Sequence, residues 1–147
     1  MRWRFVDRIT AFEPWQAIAG RKAVSLEEYY LLRPLGREGI LPESLVLESC
    51  VELARWLVAA SSGFARVAEL AAIERFALHR QATPGEVLHV DGRVIAAADP
   101  QLSLDCRVAA EGGPVAAGRL EFAVVSADGR YPVGELEELW REIHGAT

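Results

Sequence analysis

Residues 31–49 read LLRPLGREGILPESLVLES. The first half holds Arg33, Pro34, Gly36, Arg37 and Gly39, the composition of a loop. The second half opens a helix. Pro42 and Ser44 suit a helix start. After them Leu45, Val46, Leu47, Cys50, Val51, Leu53, Ala54, Trp56, Leu57 and Val58 cover most of the circumference. A helix that is apolar nearly all round is a core helix, and the pattern predicts one over about 43–60, ended by SSGF. Inside it stands a carboxylate, Glu48, with Glu52 one turn on. Ser44, Glu48, Glu52 and Arg55 fall along one side by their i, i+4, i+7 spacing. Two readings follow. The stripe is a solvated face with Glu52 and Arg55 as an i, i+3 pair, or Glu48 lines the mouth of an apolar tunnel. Loss of water there would favour the protonated form that a general acid needs.

On either side of this helix the pattern turns extended. ITAFEP and WQAIAGRKAV read as two short strands about a turn at Pro14, and SLEEYYLLRP as a short helix that ends before Pro34. After the helix come AELAAIERFALHRQ, EVLHVDGRVIAA, QLSLDCRVAA and PVAAGRLEFAVV, separated by the turn formers ATPGE, ADP and EGGP. Leu102, Leu104, Cys106 and Val108 alternate with polar residues, as do Leu120, Phe122 and Val124, the sign of a half-buried antiparallel meander. The tail, GELEELWREIH, spaces Leu136, Leu139, Trp140 and Ile143 for an amphipathic helix that docks on something. The expected architecture is α+β, a long antiparallel sheet curled around one apolar helix.

The composition narrows the function. The chain has 147 residues, 51% hydrophobic and 25% charged, with a formal net charge of -5, which fits one soluble domain over 1–147. Lys and Arg do not cluster with aromatics, so nucleic acid is not the expected partner. No apolar run would span a bilayer, and MRWRFVDRIT lacks the apolar stretch of a secretory signal. A cytoplasmic location is expected. Cys50 and Cys106 sit among apolar residues and read as reduced core thiols. With His79, His89 and His144 scattered, no metal-ligand spacing exists. His79 reads as an edge or interface residue, His89 and His144 as surface groups. Arg33, Arg37 and Arg80 could meet a phosphorylated ligand or an acidic partner helix, or serve solubility alone.

Three stretches carry a family resemblance. RFVDRITAFEP is similar to the opening of the β-hydroxyacyl-acyl-carrier-protein dehydratases of the hotdog fold, GILPESLVLES to their PIxPGVLxLEA, and AAIERFALHRQATPGEVL to their GIDKARFRRPVVPGDxL. The stretches keep order and near-correct spacing over roughly residues 4–125, leaving the helix at about 133–144 as an extension. The resemblance implies action on 3-hydroxyacyl thioesters carried by acyl carrier protein or CoA, in fatty-acid or polyene-type synthesis, with no resident cofactor. It implies a dimer whose site takes side chains from both subunits. The acid that handles the leaving hydroxyl falls at Glu48. The helix-start N–H that holds the thioester carbonyl falls at Glu43, where the family has Gly. Glu52 stands where the family commonly has Gln. The family's base, the His of GHFPG, falls at Pro34, and no His lies between Met1 and Leu78. Proline has no proton to exchange, and Arg33 beside it stays protonated. Three functions are therefore expected: a dehydratase-like subunit that pairs with a His-bearing homologue, a hotdog thioesterase using Glu48, or a non-catalytic acyl- or carrier-binding protein.

Overall fold

The computed structural model describes residues 5–25 and 39–144. Six strands and two helices follow in the order β1 (Arg8–Glu13), β2 (Ala17–Ala23), α1 (Glu43–Ser61), β3 (Arg66–Leu78), β4 (Val87–Ala98), β5 (Gln101–Ala110), β6 (Gly113–Ser126) and α2 (Glu135–His144). The short helix expected before Pro34 lies outside the described residues, as do Arg33 and Arg37. All strand pairs are antiparallel, in the order β1-β2-β4-β5-β6-β3. Only β4, β5 and β6 form a sequential meander. β3, expected beside β4, crosses to the far edge and pairs with β6.

Alternation sets the two faces of the sheet. Leu88, Val90 and Gly92 on β4, Leu102, Leu104, Cys106 and Val108 on β5, and Leu120, Phe122 and Val124 on β6 are buried against α1. α1 packs on β2, β4, β5 and β3. Four strand spacings separate β2 from β3, about 19 Å, and a helix is only about 10–12 Å across. It touches both because the sheet curves about it. Room for the helix comes from missing side chains. A Cβ on Gly20 would stand 3.3 Å from Leu53 Cδ1 and 2.9 Å from the Arg8 carbonyl, and one on Gly92 would stand 3.0 Å from Leu104 Cδ2.

The two edges of the sheet differ. α2 covers β1 and also touches α1. Trp140 meets Phe12 edge-on at 5.2 Å, lies 5.7 Å from Trp56 and stacks on His144 at 4.4 Å, while Ile143 is buried. Among the described residues the β3 edge has no such cover. Leu70 and Ile73 register with the buried Phe122 and Leu120, yet remain 37% and 47% exposed. Register shifts between Leu70 and Ala72 and between Ile73 and Arg75 break the regular ladder there.

Candidate functional site

The site is built on α1. Its backbone begins at Pro42, whose φ of -55° is preset for the turn, and no side chain caps the helix. Ser44, expected as a start signal, lies inside the first turn instead. The Leu41 N–H donates to the Ala82 carbonyl at 2.8 Å, fixing the approach of the chain to the helix. The Leu45 and Val46 N–H groups both donate to the Pro42 carbonyl. The Glu43 N–H is one of the leading amides that a helix leaves without an internal acceptor. The helix dipole adds partial positive charge at that end. The Glu43 side chain itself is exposed.

The polar stripe divides. Glu48 pairs with Arg55, Nη1 to Oε1 at 3.3 Å, and the two side chains are 36% and 43% exposed. Glu52 is not Arg55's partner. Its Oε2 accepts the Phe5 N–H at 2.6 Å, tying the N-terminal segment to the helix. The reason is geometric: seven residues are close to two full turns, so Arg55 stands almost directly below Glu48. Glu48 therefore keeps about a third of its side chain in solvent within the protomer and faces a guanidinium rather than a second carboxylate. Ser49 is buried and donates its Oγ–H back to the Leu45 carbonyl.

The remaining candidates are dispersed. His79 follows the end of β3 and is exposed, its N–H donating to the Val115 carbonyl. His89 is exposed on the outer face of β4, opposite Arg21 and Ala109. His144 stacks on Trp140. Among the described residues no hydrogen bond joins any of the three to Glu48. Arg80 is taken up by Glu86 at 2.6 Å. The hydrogen bond that Arg80 donates to Glu86 holds the Glu86 carboxyl below its usual range and raises the Arg80 guanidinium. Cys50 and Cys106 are free and buried together; the contact with Cys106, then burial, pushes the Cys50 thiol well up, as fits an unreactive core thiol. A cavity of about 270 Å³ lies elsewhere, lined by Phe64, Asp128, Tyr131, Val133, Leu136 and Glu137. It sits at the far end of α1, about 22 Å along the axis from Glu48. Among the described residues no three His, Cys, Asp or Glu side chains gather as metal ligands.

The solvated-face reading placed Arg55 on the correct side of α1 but paired it with Glu52, whereas Arg55 meets Glu48. The i, i+7 spacing that puts it under Glu48 was visible. The choice between the two acids depended on where Phe5 lies, which no local pattern reports.

Known proteins resemble this chain in sequence or in fold. No family model matches the chain. A 3-hydroxyacyl-[acyl-carrier-protein] dehydratase FabZ of Clostridium novyi is 23% identical over 116 residues, 70% of this chain and 82% of the relative. That of Rickettsia massiliae is 32% identical over 87 residues, 58% of this chain, and the chain spans only 60% of that relative's length. Among solved structures, the smu.793 protein of Streptococcus mutans, bound to acetyl CoA, superposes with a TM-score of 0.62 at 16% identity, over 81% of this chain and 88% of that one. The PaaI protein of the E. coli phenylacetic acid degradation operon gives 0.66 at 11% identity, over 80% and 78%. A hypothetical thioesterase of Streptococcus pneumoniae, with coenzyme A, gives 0.62 at 12%, over 81% and 85%. The chain has the hotdog fold, and its sequence relatives are FabZ-like.

Proposed function

We propose that this FabZ-like hotdog chain is a 3-hydroxyacyl-[acyl-carrier-protein] dehydratase-like protein, with Glu48 as its acid and a second hotdog subunit as the source of the base. The observation that carries the reading is Glu48 itself. It is a carboxylate, about a third exposed, on the polar side of an otherwise largely apolar central helix. The substrate is an acyl thioester on the phosphopantetheine of acyl carrier protein or CoA. Its carbonyl meets the helix-start N–H of Glu43, where the amide and the dipole stabilise enolate-like charge. Glu48 protonates the departing hydroxyl. The proton acceptor comes from the partner, since no His precedes His79 and Pro34 occupies the position that the resemblance gives to the base.

Two features support a dimer. Leu70 and Ile73 expose apolar surface on an edge strand, and Glu48 and Arg55 on α1 are each more than a third exposed. The partner is a second copy or a His-bearing homologue. A second reading has its own observation. A carboxylate paired with Arg55 suits activation of water, and thioester hydrolysis at Glu48 would need no imidazole.

The test compares dehydration of a 3-hydroxyacyl carrier protein with hydrolysis of an acyl-CoA. Each is run with the purified chain and again with a His-bearing homologue added. Dehydration by the chain alone is expected to be lower by about 10²–10⁴ than with the homologue, as for loss of one member of an acid/base pair. Glu48→Gln should lower whichever reaction occurs by about 10²–10⁴ and leave a measurable residual rate. Hydrolysis by the chain alone, lost in Glu48→Gln, would replace the first reading by the second. Full activity of Glu48→Gln in both assays would leave acyl or carrier binding without catalysis.

A further inference from the structure

The open side of α1 carries a group that the proposed chemistry has not used. Arg55 reaches back along the helix to Glu48, and the side chains of a helix point toward its N-terminus. The two residues are therefore not equivalent. Arg55 extends in its natural direction. Glu48, left to itself, would lean the same way, toward Glu43 and the helix start. Instead Oε1 is held 3.3 Å from a guanidinium nitrogen on its C-terminal side. Among the described residues Oε2 takes no partner, so the pair leaves one oxygen bound and one free. The other acid of the stripe does not compete, because Glu52 is engaged by the Phe5 N–H.

We infer that Arg55 is a positioning residue for Glu48. It fixes the carboxylate along the helix axis by holding Oε1 and presents Oε2 to the acyl thioester. The inference rests on the reading of Glu48 as the working carboxylate. It adds the group that orients it, at a position where a solubilising arginine would have no effect on turnover. An exposed pair of this kind gives orientation rather than stability, because solvent screens its Coulomb energy. A misplaced reacting group, by contrast, loses rate steeply with distance.

The test uses Arg55→Ala, Arg55→Lys, Glu48→Gln and the double variant Glu48→Gln/Arg55→Ala. Each is assayed for dehydration of 3-hydroxybutyryl-CoA and hydrolysis of butyryl-CoA, with and without the His-bearing homologue. In the reaction that depends on Glu48, Arg55→Ala should lower kcat by about 2- to 10-fold at nearly constant KM. Arg55→Lys should recover most of that loss, since an ammonium on a stem of similar reach still binds one oxygen. In the Glu48→Gln background, Arg55→Ala should change nothing further, the signature of two groups acting as one. An equal loss in both backgrounds would overturn the inference and make Arg55 structural. No loss in either would make it a solubilising residue. If Glu48→Gln itself leaves both reactions intact, the reading of Glu48 fails first and the role of Arg55 falls with it.

Discussion

The two edges of the sheet are built for opposite ends. At β1 the chain spends a whole helix on closure: α2 lays Trp140 against Phe12 and Trp56 and buries Ile143. At β3 the strand is longer, 13 residues against six, and among the described residues no helix packs over it as α2 packs over β1. Leu70 and Ile73 face the same side as the buried Leu120 and Phe122, yet remain open to solvent. An uncovered apolar edge is a liability in a monomer, and proteins keep one where another chain or a ligand covers it. The difference teaches that closure of β1 belongs to the fold, whereas the exposed apolar residues of β3 are what the proposed partner would cover.

The comparison breaks first at the closed edge. Trp140→Ala removes the half-buried ring that joins α2 to β1 and α1, and should cost about 2 kcal/mol in a urea unfolding experiment, below the range for fully buried aromatic truncations. A loss below about 1 kcal/mol would mean that α2 rests on the edge without closing it. At the open edge the expected effect moves from folding to association. Ile73→Asp should leave monomer folding within about 0.5 kcal/mol, as surface substitutions do. It should also weaken self-association by about 2 kcal/mol, roughly thirty-fold in dissociation constant, by sedimentation. Unchanged association would place the dimer contact elsewhere and remove the lesson drawn from β3.

The smallest effect lies on the outer face, where neither edge is involved. The Arg119 hydrogen bond holds the Asp105 carboxyl below its usual range, with Nε to Oδ1 at 2.8 Å. A depressed carboxylate contributes stability above its unfolded pKa and loses it as pH falls through the folded value. Both side chains are about a third exposed, so solvent screening keeps the contribution below about 0.5 kcal/mol. Asp105→Asn should therefore lower stability slightly at pH 7 and flatten its decline below about pH 4. Melting temperatures at the two pH values check this. A decline as steep as that of the parent chain would mean that other carboxylates carry the acid limb.

The sequence by itself determined the elements. The core helix was legible because ten apolar residues leave little of its circumference polar, and the strands because Leu102 to Val108 and Leu120 to Val124 alternate. The tail helix was legible from the spacing of Leu136, Leu139, Trp140 and Ile143. These are short-range periodicities, set by the backbone's own repeat. What the tail helix docks on, where β3 joins the sheet and which acid Arg55 binds were decided only in three dimensions. β3 pairs with β6 because the chain crosses the helix before returning, and strand order leaves no mark on a strand's alternation. Arg55 meets Glu48 because the Phe5 N–H claims Glu52 from 47 residues away. Partners so distant in sequence are brought together by packing, and packing is what a local pattern does not encode.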